Sequence, residues 1–161
     1  MAKKNQFLLD GLFGFDGRFR RSEYWIASIG LTIVRLVVLL VICGVLGMGL
    51  TEASRLPLVR HGLDLLFLWP AAAITIKRGH DRNRSALFTS VMLVVLYGSG
   101  VGLTLLTQGG NQLAVAGVSV LLLPFMLYMF IDYGLINGTK GDNRYGPSPK
   151  VTSTNTTLAL D

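Results

Sequence analysis

Long apolar runs separated by short polar blocks form the main pattern of this chain. The apolar runs cover residues 26–48, 58–76, 86–106 and 113–136. Each run reaches the roughly 20 residues with which an α-helix crosses the hydrocarbon core of a bilayer. The pattern therefore predicts an all-α integral membrane protein with four transmembrane helices, and residues 26–136 form its membrane domain.

Polar segments flank this predicted domain. Residues 1–25 are polar and basic, and an apolar piece at residues 7–15 predicts a short interfacial helix or loop. Residues 137–161 form a tail that is rich in Gly, Pro and Asn and then in Ser, Thr and Asn. The last ten residues of that tail have the composition of a disordered segment.

Composition agrees with a membrane protein. Only 15% of the residues are charged, against about a quarter in soluble domains. The net charge of +6 comes from basic residues that flank the apolar runs. In that position they set membrane orientation and meet anionic headgroups, so no nucleic acid partner is predicted. The single cysteine, Cys43, lies inside an apolar run and excludes a disulfide framework.

The distribution of Lys and Arg predicts the orientation. Five of these residues lie in the N-terminal segment, four in the hinge at residues 77–85 and three in the C-terminal segment. The connection at residues 49–57 has one, and the turn at residues 107–112 has none. Because positive charge resists translocation, both termini and the hinge are predicted to be cytoplasmic.

Ionisable residues inside the predicted spans are candidates for function. A charge at the bilayer centre costs about 3 kcal/mol on insertion scales. Arg35 and Asp64 lie at depths that differ by about 5 Å, which predicts an ion pair between the first two helices. The pair either holds the bundle together or belongs to a polar pathway for protons or a small solute. Asp132 is predicted to pair with a basic residue of the hinge.

Other motifs give weaker signals. His61 lies within one turn of Asp64, but no second histidine is near it, so no metal site is predicted. Gly98 and Gly102 have the small-xxx-small spacing that allows either packing within the bundle or a homo-oligomer contact. The sequence contains no phosphate-binding loop, zinc-protease motif or nucleophile elbow, and no cofactor is predicted.

The basic residues at the predicted cytoplasmic face are candidates for binding an anionic headgroup or a phosphate. Positive-inside bias alone explains the same residues without a ligand. Within the hinge, Gly79 and Asn83 predict a tight turn, and Ser85 is a helix cap. The basic face comprises Arg18, Arg20, Arg21, Lys77, Arg78, His80, Arg82, Arg84, Lys140 and Arg144.

Three motifs in order resemble a known family. They are Gly17-Arg18 with Arg21-x-Glu23-Tyr24-Trp25, then Lys77-Arg78-x-His80-Asp81-x-x-Arg84-Ser85 after Pro70, then Gly138-Thr139-x-Gly141-x-Asn143-Arg144-Tyr145-Gly146-Pro147-x-Pro149. Together they resemble the bacterial inner-membrane family called domain of unknown function 805, over roughly residues 13–149. Here Gly79 replaces the usual Leu, and Ala86-Leu87-Phe88 replaces Gly-Trp-Trp.

The resemblance implies a small multi-pass inner-membrane protein and brings no established activity. It also implies that the three motifs share the cytoplasmic face as one network, which either holds the termini to the hinge or recognises a ligand. Network members are Arg18, Arg21, Glu23, His80, Asp81, Arg84, Asn143, Arg144 and Tyr145. The candidates for binding an anion, a lipid or a partner are Arg18, Arg21, Lys77, Arg78, His80, Asp81, Arg84, Asn143 and Arg144.

Three function classes follow. The first is a membrane scaffold or interaction protein that binds anionic lipid or a membrane protein partner. The second is an oligomeric channel or transporter that uses Arg35, Asp64 and His61. The third is a lipid-acting enzyme, which ranks last because no set of nucleophile and base is visible. We therefore expect a protein that is not an enzyme.

Overall fold

The computed structural model describes residues 12–149, and this part of the chain contains helices and no β-strand. The elements are α1 (Arg21–Leu46), α2 (Leu50–Arg55), α3 (Pro57–Asp81), α4 (Ala86–Gln108), α5 (Gln112–Met129) and a π-helix (Phe130–Leu135) that continues α5. Four helices are long and apolar enough to cross a membrane, namely α1, α3, α4 and the continuous stretch Gln112–Leu135. The predicted all-α, four-helix membrane class is confirmed.

Local sequence signals set the helix ends. Helix α1 ends at Leu46 and is followed by Gly47, whose φ of 64° is the left-handed conformation that favours glycine. Helix α3 begins at Pro57. The first N–H groups of a helix have no acceptor within it, so a proline at this position, which has no N–H, costs no hydrogen bond. The side chains of Ser85 and Asn111 cap α4 and α5 by accepting backbone N–H groups, each at 3.1 Å. The prediction that Ser85 is a cap is confirmed.

The hinge differs from the prediction. Helix α3 continues to Asp81, and the turn is confined to residues 82–85, where Asn83 has a φ of 57°. Gly79 lies inside α3 and faces α4, where a Cβ atom would overlap Oγ1 of Thr89. The prediction that Gly79 forms a turn is therefore wrong, because its role is to allow α3 and α4 to pack closely.

The interior of the molecule is concentrated in the last third of α3. Every residue from Ala73 to Asp81 is buried, including four that carry a charge or an imidazole. This stretch packs against α1, α4 and the π-helix. The outer faces of α1, α4 and α5 are apolar and exposed, as expected for helices that contact lipid.

The segment that precedes α1 runs back along α3. Phe19 donates its backbone N–H to the carbonyl of Lys77 at 3.1 Å. Near the middle of α3, Trp69 donates its indole N–H to the carbonyl of Phe13, and its ring packs edge-on against Phe15. Of the predicted interfacial piece, residues 7–11 lie outside the described residues. Residues 12–15 lie against α3.

Residues 16–21, which precede and begin α1, therefore lie at the same end of the bundle as the C-terminal segment and the end of α3. We call this the polar end, and define it as residues 16–21, 77–85 and 136–149. Contacts among these three segments hold it together, whereas α2 and the α4–α5 turn lie at the opposite end.

Candidate functional site at the polar end

Arg78 forms the centre of the polar end. Its side chain is fully buried, and its guanidinium donates to Oδ2 of Asp81 at 2.6 Å. It also donates to the backbone carbonyls of Tyr133, Ile136 and Phe19. A guanidinium has five N–H groups, and here they tie α3 to the π-helix and to the segment before α1.

Arg18 reaches the same carboxylate from the N-terminal segment. Its Nη2 lies 3.0 Å from Oδ1 of Asp81, and the side chain is 1% exposed. The guanidinium also donates to the carbonyls of Thr139 at 2.8 Å, Gly141 at 2.9 Å and Gly146 at 3.1 Å. One arginine thus fixes the C-terminal segment onto α3.

Asp81 is shared between the two arginines, and we call Arg18, Arg78 and Asp81 the arginine cluster. One buried carboxylate between two buried guanidinium groups leaves a net positive charge, which costs free energy unless polar groups surround it. The carbonyls just named supply those groups. Gly138 packs so closely that a Cβ atom there would overlap the Asp81 carboxylate.

A second layer covers the arginine cluster. The His80 ring stacks on Tyr145 with centroids 3.8 Å apart and an interplanar angle of 7°. Its Nδ1 lies 3.2 Å from the carbonyl of Gly17. Asn143 donates to the carbonyl of His80 at 2.9 Å. His80 is therefore packed in place, and the hydroxyl of Ser85 is used as a helix cap, so the two form no nucleophile–base pair.

Asp132 forms a separate cluster at the start of the π-helix. Its Oδ1 accepts from Arg82 at 2.9 Å, and its Oδ2 lies 3.7 Å from Arg84. The predicted pairing of Asp132 with the hinge is present. Arg84 also lies over the ring of Phe88, with its Cζ 5.2 Å from the centroid.

Most of the predicted ligand-binding residues are used inside the protein. Lys77 is buried, with its ammonium 5.0 Å from the centre of the Phe19 ring. Arg144 donates to the carbonyl of Asn83 at 3.0 Å. The structure joins Arg18, His80, Asp81, Asn143 and Tyr145 into one network, as the motif resemblance implies. It places Glu23 with Arg20, and Arg84 with Asp132, outside that network.

Three basic side chains line a small cavity of about 100 Å³ at the polar end. Arg21 and Lys140 are exposed, and Arg20 pairs with Glu23 at 2.8 Å. All three belong to the predicted basic face, but the shorter set of predicted binding candidates contained only Arg21. Arg20 and Lys140 lie next to the first and last predicted spans, and this position in the sequence could have indicated that they face lipid headgroups. The buried arginines lie equally close to the spans, so position alone does not distinguish the two groups. The other lining residues are Asp81, Asn137, Gly138, Thr139, Ser148 and Pro149.

The predicted ion pair at membrane depth is present. Nη2 of Arg35 lies 2.6 Å from Oδ1 of Asp64, and Nδ1 of His61 lies 3.5 Å from Oδ2 of the same carboxylate. A cavity of about 180 Å³ opens beside Arg35 between α1, α3 and α4. Its polar lining residues are Ser28, Thr32, Arg35, Thr75 and Tyr97.

The glycines of the third span do not pack inside the chain. Within the described residues, a Cβ atom at Gly98 or Gly102 would meet no other atom within 4 Å. The small-xxx-small face of α4 is therefore open, and a homo-oligomer contact there stays a prediction.

The fold and its polar end define a multi-pass α-helical membrane protein. Residues 12–147 match the family model described as Protein of unknown function (DUF805), and the chain belongs to this family. The resemblance that the three motifs carry is thereby confirmed.

Relatives in Escherichia coli strain K12 cover nearly the whole chain. The Uncharacterized protein YiiR is 36% identical over 84% of this chain and 85% of its own length. The Inner membrane protein YhaI is 30% identical, over 91% and 94% respectively. The Inner membrane protein YhaH is 28% identical, over 89% and 93%. No solved structure matches the chain.

Proposed function

We propose that this protein is a scaffold of the bacterial inner membrane whose polar end faces the cytoplasm and binds the anionic headgroup of a membrane lipid. The observation that carries the proposal is the cavity lined by Arg20, Arg21 and Lys140. The cytoplasmic orientation is supported by the Lys and Arg distribution, because positive charge resists translocation.

The chemistry of this cavity suits a phosphate group. Charge-assisted hydrogen bonds from Arg and Lys to phosphate are shorter and stronger than neutral ones. Thr139 and Ser148 add hydroxyl groups to the lining. Arg21 is the first residue of α1, so the cavity lies where a transmembrane helix leaves the bilayer and where lipid headgroups are found.

An apolar groove favours a lipid over a free phosphate. The groove, of about 710 Å³, is lined by α1 and α3 and by Phe13 and Phe19 of the segment before α1. Its lining is apolar except for Glu23, and Glu23 pairs with Arg20 of the cavity. The cavity and the groove therefore adjoin at the ion pair of Arg20 and Glu23, so one lipid could place its headgroup in the cavity and an acyl chain in the groove.

Native mass spectrometry of the intact protein, extracted gently from its own membrane, tests the proposal. We expect retained phosphatidylglycerol or cardiolipin, and loss of most of it in the double variant Arg21→Gln, Lys140→Gln. Each basic residue near an anionic surface contributes about 1 kcal/mol, so two exchanges weaken binding roughly 30-fold. The matched control is Arg55→Gln with Arg60→Gln, two exposed arginines at the opposite end.

Equal lipid retention in the two double variants would contradict headgroup binding at this cavity. A retained protein in place of lipid, lost in the same variant, would instead assign the polar end to a protein partner.

A second candidate function is a small channel or transporter. The observation that favours it is the polar cavity beside the ion pair of Arg35 and Asp64. The third class, a lipid-acting enzyme, has no such observation in its favour among residues 12–149, where His80 and Ser85 both have structural roles.

A further inference from the structure

Ser148 brings a buried hydroxyl group to the wall of the cavity that Arg20, Arg21 and Lys140 line. The residue is 5% exposed, and its hydroxyl makes no hydrogen bond within residues 12–149. A buried polar group without a partner costs free energy, so buried hydroxyls in folded proteins are matched to protein, water or ligand. Ser148 therefore offers the cavity a hydrogen-bond donor that the described part of the chain does not use.

The cations around the cavity exceed the anions that neutralise them. Arg20 forms an ion pair with Glu23 at 2.8 Å. Arg21 and Lys140 are exposed, and neither forms an ion pair with a described residue. Arg21 uses one N–H group on the backbone carbonyl of Leu135, at 3.3 Å, and a guanidinium has five. Two full positive charges are therefore left for an occupant of the cavity.

The arginine cluster does not remove this excess. Asp81 lines the cavity, but its Oδ1 is bound by Arg18 and its Oδ2 by Arg78. The cluster as a whole is positive, because two guanidinium groups share one carboxylate. An anion in the cavity thus meets a carboxylate whose charge is already more than balanced.

We propose that this cavity selects a membrane lipid whose headgroup is an unsubstituted phosphate monoester, as in phosphatidic acid. The inference rests on the proposed function and names the headgroup chemistry at the same site. A phosphate monoester carries a charge of about −1.5 to −2 at neutral pH and has three terminal oxygens. A phosphodiester headgroup carries a single negative charge and has two such oxygens. The monoester therefore matches both unpaired cations, and its additional oxygen is an acceptor for Ser148.

The size of the cavity favours the same headgroup. Its volume of about 100 Å³ equals that of about three water molecules, at roughly 30 Å³ each. A phosphate group fills a space of this size, so a glycerol or larger alcohol on the phosphate would have to project out of the cavity. The acyl chain leaves on the side of the adjoining groove, where Glu23 contributes to the wall.

Inorganic phosphate offers the cavity the same chemistry, and the groove separates the two sources. Gly30 lines the groove at a position where a Cβ atom would meet nothing within 4 Å in the described structure. Gly30→Leu places a side chain where we expect the acyl chain to lie. The variant should weaken the binding of a lipid and leave the binding of inorganic phosphate unchanged.

Native mass spectrometry tests the proposal on the full-length protein in detergent micelles with equal amounts of dioleoyl phosphatidic acid and dioleoyl phosphatidylmethanol. Equal amounts are needed because retention from a natural membrane also depends on the abundance of each lipid. The two probes differ by one methyl group on the phosphate and therefore by about one charge. We expect phosphatidic acid to be bound at least about fivefold more, the effect of one charge at a basic surface.

Lys140→Gln should abolish most of this preference, and Ser148→Ala should lower the binding of phosphatidic acid several-fold. Ser22→Ala is the matched control, because Ser22 is exposed and does not line the cavity, and it should keep the full preference. Melting temperatures in the same detergent show that each variant is folded. Lys140 is exposed, so Lys140→Gln keeps the test decisive if Ser148→Ala does not fold.

Equal binding of the two probes by the wild type would overturn the proposal. If that equal binding is lost in the double variant Arg21→Gln, Lys140→Gln, headgroup binding at the cavity stands and only the choice of a monoester is wrong. Binding of neither probe above dioleoyl phosphatidylcholine would contradict both. Displacement of phosphatidic acid by millimolar inorganic phosphate, together with unchanged lipid binding in Gly30→Leu, would assign the cavity to free phosphate and overturn the lipid.

Discussion

At the scale of single residues, the buried charges explain which sequence predictions succeeded. Arg35 and Asp64 could be paired from sequence because both lie in apolar runs at similar depth, where an unpaired charge is costly. The burial of Arg18 and Arg78 could not be predicted. Besides Asp81, their partners are mostly backbone carbonyls, which every residue carries, and the carbonyls that Arg18 binds lie 121 to 128 residues away along the chain. Side-chain type therefore does not reveal which arginines are exposed and which are satisfied internally.

Gly138 gives a test of the arginine cluster at this scale. In Gly138→Ala the new Cβ atom overlaps the Asp81 carboxylate, so either the C-terminal segment or the carboxylate must move. Overpacking of a tight site costs about 1–3 kcal/mol, and we expect a clear fall in the melting temperature in detergent micelles.

The control for this variant is Gly117→Ala on α5, where a Cβ atom would meet nothing within 4 Å. A melting temperature for Gly138→Ala that equals that of the control would show that the C-terminal segment is not held tightly on α3.

At the scale of elements, hydropathy located the four spans but placed the end of α3 too early. The charged residues Lys77, Arg78 and Asp81 end an apolar run, so the run appears to stop near residue 76. In the fold these side chains are buried against the segment before α1, the π-helix and the C-terminal segment, and the helix continues. Tertiary contacts with distant segments decide this boundary, and local sequence does not contain them.

A double-mutant cycle tests the contact between α1 and α3. Arg35→Leu or Asp64→Leu alone leaves one uncompensated charge, and each should destabilise the protein strongly. The double variant removes both charges and should be more stable than either single variant. The measurement is the unfolding free energy in mixed micelles, and strictly additive effects would show that the 2.6 Å contact carries no coupling.

At the scale of the whole molecule, the three segments of the polar end are brought to one side by four membrane crossings. Their common location agrees with the charge bias used to predict orientation, although the fold itself fixes no side of the membrane. The cavity lined by Arg20, Arg21 and Lys140 forms only when the N-terminal and C-terminal segments come together in the folded chain. No single sequence motif contains all three residues, so the cavity could not be predicted from the motifs.

Cysteine labelling tests the proposed orientation. Cys43 is the only cysteine in the chain, so it is first exchanged for Ser. In intact spheroplasts we expect a membrane-impermeant maleimide to label Gln108→Cys and to leave Lys140→Cys unmodified. Inverted membrane vesicles should give the opposite result, and labelling of Lys140→Cys in spheroplasts would reverse the assigned orientation.

The position of Arg18 also has a consequence for biogenesis. The carbonyls that it binds belong to residues made 121 to 128 positions later, so at about 5–20 residues per second the ribosome needs roughly 6–25 s to supply them. Until then the arginine lacks these acceptors and must stay in water. Assembly of the polar end is therefore the closing step of maturation. A nascent chain that stops before Thr139 would be anchored in the bilayer but left open there, as a substrate for membrane proteases.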